Sequence, residues 1–155
     1  MEKNKHAEDG GSKWKYGLRW DEKYETGHDT IDAQHKELFR LTSDVIEACE
    51  HGLGLEVVSK ALDFLTSYTA SHFADEETLM TQNYYPTYEE HKKIHEDFKQ
   101  TVTQIVGRYR ESGSTLELSH EVNGIIVRWL IMHISQVDRK FADYVKLIES
   151  KLQRD

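Results

Sequence analysis

Five histidines and two carboxylates form one ordered series along this chain: His35, then His72-x-x-x-Glu76, then His91-x-x-x-His95, then His133-x-x-x-x-Asp138. Imidazole ligates iron, copper, zinc and nickel, and a carboxylate can bridge two metals through its two oxygens. The series supplies seven protein ligands, enough for two metal ions side by side with one coordination position left open. In a helix, residues four apart project from nearly the same face, about 40° out of line and one turn apart. His72 with Glu76, and His91 with His95, can therefore each aim both donors at one point. His133 and Asp138 diverge more, by about 140° on a regular helix. That spacing suits a histidine ending on one metal and a carboxylate reaching back to both.

No single pair is specific. With nine histidines in the chain, one H-x-x-x-H or H-x-x-x-E reads most simply as a solvated or capped helix face. The series gains meaning only if the fold brings its members level.

The elements follow from punctuation and periodicity. The first helix is predicted from near Thr30 to about His51, with Ile31, Leu38, Leu41, Val45 and Ala48 on one face, closed by Gly52 and Gly54. A second runs from about Leu55 to Asn83, with Val58, Leu62, Leu65, Tyr68, His72 and Leu79 along its inner stripe. Pro86 closes that connection, and Thr87 with Glu90 has the pattern of a capping box opening a third helix to about Arg110. Ser114 with Glu117 opens a fourth, carrying Val122, Ile126, Trp129, Leu130 and His133. Residues 1–13 are polar and expected to form a flexible tail, and residues 14–155 a single domain. The alternating Trp14, Tyr16, Leu18 and Trp20 suggest an extended N-terminal arm packed on the bundle.

Short connections make successive helices antiparallel, so the expected fold is all-α, an up-down-up-down four-helix bundle. Counting along each helix at 1.5 Å per residue places all seven donors within one slab about 15 Å thick at one end. This agreement was no part of the motif, and it turns a suggestive pattern into an expected metal site.

Composition bounds the rest. One proline and 31% charged residues suit a helical protein, and a lone Cys49 allows neither a disulfide framework nor a thiolate cluster. A net charge of -8 argues against broad nucleic-acid binding. No stretch has the length or character of a membrane span or a signal peptide, so a cytoplasmic protein is expected.

The chain resembles the hemerythrins, bacterial ones in particular, across essentially residues 14 to 145. The stretches that carry the likeness are IDAQHKELF (31 to 39), HFADEETLM (72 to 80), YPTYEEHKKIHEDF (85 to 98) and WLIMHISQVD (129 to 138). The resemblance implies two iron ions joined by an oxo or hydroxo group. It places His91, His95 and His133 on a coordinatively saturated iron and His35 and His72 on the other, with Glu76 and Asp138 bridging. Six donors then surround the first iron and five the second, so dioxygen binds at the second. By the same likeness Leu38, Trp129, Leu130 and Ile134 wall the open position.

The implied function is reversible dioxygen binding for storage, delivery or sensing, serving an oxygen-consuming enzyme or a signalling partner, and not catalysis. The alternatives are a di-iron enzyme acting on peroxide or nitric oxide, iron handling, or a bundle that is structural or binds zinc alone. The remaining residues carry plainer expectations. His28 and His120 belong at the surface, His51 at a helix end and His6 in the tail. Cys49 is half-buried or buried, Phe73 and Trp20 serve packing, and Asp75 and Glu77 point away from the site.

Overall fold

A computed structural model describes residues 18–154. The tail assigned to residues 1–13 and the Trp14 and Tyr16 portion of the arm lie outside the described residues. Among those described there is no strand, and no helix is long and apolar enough to cross a membrane.

Helix α1 spans Asp29–Glu50, α2 Leu55–Gln82 and α3 Tyr88–Ser112. A continuous rod, α4, runs through Thr115–Glu121, Val122–Val127, Arg128–Met132, His133–Asp138 and Arg139–Arg154. The neighbours are α1 with α2, α2 with α3, α3 with α4, and α4 with α1. Side-chain pairs fix the directions. Gln34 early in α1 meets Asp75 late in α2, Asp63 early in α2 meets Arg110 at the end of α3, and Glu50 at the end of α1 meets Ser119 early in α4. The expected antiparallel bundle is the observed one.

Helix ends follow local chemistry with one exception. Gly52 and Gly54 take φ of 58° and 92° in the α1–α2 turn, a region that side chains disfavour. The Ser114 hydroxyl accepts from Glu117 N at 3.2 Å, as its capping pattern requires. Thr87 makes no such bond, because its backbone (φ -106°, ψ 31°) lacks the extended geometry an N-cap needs. The inner stripe of α2 also departs from expectation. Thr69, Phe73 and Met80 are buried, whereas Tyr68 and Leu79 are half-buried. Thr69 is admitted because its hydroxyl donates to Leu65 O at 2.7 Å.

The visible part of the arm behaves as expected. Leu18 is buried, and Trp20 meets Phe39 edge-on at 5.2 Å. After a short 3-10 turn, Glu22–Tyr24, the chain is strapped to the bundle. The Asp32 carboxylate accepts from Thr26 N, Thr26 Oγ1 and Gly27 N, while Arg139 donates to the carbonyls of Lys23 and Glu25 and Lys146 to that of Thr26.

Two turns of α4, Val122–Val127 and His133–Asp138, are π-helical. A π turn holds one residue more than an α turn. The buried positions Val122, Ile126, Leu130, Ile134, Asp138 and Ala142 recur at a strict spacing of four. On a regular helix that stripe would drift about 40° per step, roughly 200° in all. Each extra residue cancels about 100°, so the two π turns keep the stripe facing inward.

The apolar core lies in two layers. The larger contains Phe39, Val45, Leu62, Phe73, Ile105, Ile126 and Leu130. The smaller contains Ile31, Met80, Tyr85, Phe141, Ala142 and Val145. Between them lies a layer of buried polar side chains.

Candidate metal centre

That layer is the ligand series. His35, His72, Glu76, His91, His95, His133 and Asp138 are all at most 3% exposed and converge from all four helices. Their donor atoms fall into two groups, each within 4.8 Å: Glu76, His91, His95, His133 and Asp138, and His35, His72, Glu76 and Asp138. Every ligand candidate from the sequence is therefore brought together, and the two carboxylates belong to both groups.

The carboxylates divide their oxygens between the groups. Glu76 Oε1 lies 2.7 Å from His91 Nε2, and its Oε2 lies 3.2 Å from His72 Nε2. Asp138 Oδ1 lies 2.9 Å from His133 Nε2 and 3.1 Å from His91 Nε2, while its Oδ2 lies 2.8 Å from His35 Nε2. The π turn places Asp138 here. It brings a residue five positions after His133 back onto the same face, which a regular helix would not do.

These distances fit metal ions better than a hydrogen-bond network. Ligands about 2.1 Å from an octahedral metal stand about 3 Å apart along an edge. His95 Nε2 and His133 Nε2 face each other at 3.2 Å, as two donors to one ion would. Despite their crowded surroundings, His72 Nε2 and both Glu76 oxygens lack a hydrogen-bond partner of proper geometry. Buried polar atoms seldom go unsatisfied, and orphans aimed at a common point mark the place of a missing charge. The donor set thus fits a two-ion metal site.

Electrostatics agree. Burial alone would push His72 and His91 down, but the Asp138 and Glu76 carboxylates outweigh it and hold both up at about 9. Burial and Asp138 would raise Glu76, yet His72, His91 and His95 around it hold it down at about 2. Asp138 is likewise held well below the ordinary carboxylate range, against its burial, with His133 the leading cause.

Two residues set aside in the sequence join the site from outside. Glu77 does not point away, because its Oε1 lies 3.0 Å from His95 Nδ1. Asp75 acts through Gln34: Gln34 Nε2 donates to Asp75 at 2.9 Å, and Gln34 Oε1 lies 2.7 Å from His72 Nδ1. These contacts depend on how neighbouring helices are rotated, which short-range spacing does not encode.

The rings are held by aromatic plates. Phe73 stacks on His95, and Trp129 stacks on His133 at 4.2 Å and 13° and on Phe98 at 3.7 Å. Trp129 thus meets the three-histidine group. Leu38, Leu130 and Ile134 are fully buried in the larger core. Trp20 packs with Tyr24 and Phe39. His28 is half-buried and caps α1, its Nδ1 accepting from Ile31 N at 3.4 Å, which corrects its surface reading. His51 ends α1, His120 is exposed, and Cys49 is buried, with its thiol pushed up to about 11 by desolvation and the nearby Glu50.

Fold and site define a helical bundle built around buried histidines and bridging carboxylates, and the chain belongs to the hemerythrin family. The hemerythrin HHE cation binding domain matches residues 26–145. A bacteriohemerythrin of Pseudomonas paraeruginosa is 37% identical over 141 residues, covering 89% of this chain and 88% of the relative. One from Stenotrophomonas maltophilia is 31% identical over 138 residues with the same coverage. A myohemerythrin of Theromyzon tessulatum is 30% identical over 123 residues, 79% of this chain and 89% of the relative.

Proposed function

We propose that this chain binds dioxygen reversibly at two iron ions bridged by Glu76, Asp138 and a solvent-derived oxo or hydroxo group. One observation carries the reading: each carboxylate gives one oxygen to a three-histidine group and the other to a two-histidine group. With the third bridge counted, His91, His95 and His133 complete six donors at one ion. His35 and His72 complete five at the other, leaving one position for dioxygen.

When bound, the ion pair supplies the two electrons that dioxygen takes up. The protein's own part is to set charge and keep out water. Five neutral imidazoles against two carboxylates leave little anionic charge to stabilise high-valent iron, whereas related di-iron bundles use four carboxylates and two histidines. That balance favours release of dioxygen over its consumption. Leu38, Leu130 and Ile134 serve as an apolar wall that disfavours the departure of charged oxygen species, and Trp129 meets the site through His133. The physiological role in this reading is storage, delivery or sensing of dioxygen in the cytoplasm, on behalf of an oxygen-consuming enzyme or a signalling partner.

The test is a visible spectrum of the reduced, iron-loaded protein under nitrogen, then oxygen, then nitrogen again. A coloured adduct that forms and then disappears is the expected result. Turnover of peroxide or nitric oxide with no such adduct would support a di-iron enzyme instead.

A further inference from the structure

His95 and His72 are anchored at their outer nitrogens by side chains of unlike charge. The His95 Nδ1–H donates to the Glu77 carboxylate at 3.0 Å, whereas the His72 Nδ1–H donates to the neutral Gln34 amide oxygen at 2.7 Å. The nearest carboxylate on that side, Asp75, is one residue further out. The Nδ1 atoms of His35, His91 and His133 are buried with no hydrogen-bond partner among the described residues. One anion therefore sits directly against one of the five imidazoles, and it sits on the three-histidine side.

That contact is well insulated. The Glu77 side chain is only 18% exposed, and the face of the His95 ring is covered by Phe73. A carboxylate accepting from the outer nitrogen fixes the tautomer that leaves a lone pair on Nε2, and it raises the basicity of that lone pair. With little water to screen it, the negative charge also favours the more positive oxidation state of whatever ion the ring holds.

We infer that Glu77 is a positioning residue that locks the His95 ring and biases ferric charge toward the His91/His95/His133 iron. The inference rests on the di-iron reading and deepens it: the side without the vacancy is built to hold positive charge. Gln34 is the neutral counterpart that leaves the His72 side less biased.

The test compares the iron-loaded parent with Glu77→Gln, which keeps an acceptor and loses the charge, and Glu77→Ala, which loses both. Two readouts are taken: the rate of iron loss to a chelator, and the reduction potential followed optically. Glu77→Ala is expected to lose iron about 10–100-fold faster. Glu77→Gln should keep iron nearly as well as the parent and be easier to reduce. A parent-like potential in Glu77→Gln would overturn the inference whatever the Ala variant does, leaving Glu77 as packing alone. A parent that takes up no iron would overturn the di-iron reading as well, so the two failures are distinguishable.

Discussion

The ring of Phe73 lies flat on that of His95, with centroids 3.9 Å apart and planes 4° from parallel. Phe73 directly follows His72 on α2, so one short stretch of chain supplies a ligand candidate to one group and a backing plate to the other. Phe73 also meets Phe98 and Trp129 edge-on, which ties the plate into the larger core. Phe73→Ala should cost the metal-free protein about 3–5 kcal/mol, the usual range for removing a buried phenylalanine. Phe73→Leu should cost clearly less. Urea denaturation measures both, and equal losses would mean that ring shape contributes nothing here.

Glu76→Ala and Asp138→Ala should each abolish the two-ion site. The parent is expected to carry about two irons per chain, because seven donors with shared bridges suit two ions better than one. Both variants should also lose the thermal stabilisation that iron loading confers by linkage. Asp97→Ala is the control, since that carboxylate is 63% exposed and pairs only with Lys93. Metal analysis and melting curves with and without iron decide it. Bridging is wrong if either carboxylate variant retains two irons.

The metal-free and iron-loaded proteins should respond to alkali in opposite senses. His72 and His91 have folded-state values near 9 against an ordinary 6.5. Their stabilisation is therefore whole below about 6.5 and disappears as pH rises toward 9. Glu76, lowered from 4.5 to about 2, contributes fully above 4.5 and loses that contribution as pH falls. The site's contribution to metal-free stability thus peaks between about pH 4.5 and 6.5. Iron requires neutral imidazoles, so loading should become more favourable across the same alkaline interval. Denaturation midpoints at a series of pH values would show parallel slopes if the histidines were not the groups responsible.

Leu130→Ser should hasten autoxidation while leaving iron content unchanged. Leu130 is 2% exposed and packs in the larger core, so a hydroxyl there introduces a polar group into the proposed wall. Decay of the oxygenated spectrum in air measures the rate. A rate equal to the parent's would remove Leu130 from the wall.

The sequence made the bundle and the ligand series legible because both are short-range. Residues 72 and 76, or 91 and 95, lie on one face of any helix, and short connections set the antiparallel order. What it did not disclose depends on the rotation of one helix against another. Glu77 and Asp75 looked outward from their own helix, and only the placement of α1 and α3 turned them toward His72 and His95. The π turn at His133–Asp138 is an intermediate case. The divergence of those two residues on a regular helix was recognised, but the strict spacing of four from Val122 to Ala142, which marks the extra residues, went unread. Thr87 shows the opposite error, a local motif overruled by the backbone geometry of the turn that holds it.

The extra residue in each π turn makes α4 sensitive to length in a way the other helices are not. A surface loop absorbs an insertion or deletion locally. In α4, deletion of one residue within His133–Asp138 would restore the ordinary repeat and swing everything beyond it by about 100°. Asp138 would leave both donor groups, and Phe141, Ala142 and Val145 would leave the smaller core layer together. Point changes here can be graded in effect, but a change of frame along the rod is all-or-none. Any graft or redesign of this helix must therefore carry its two irregular turns intact.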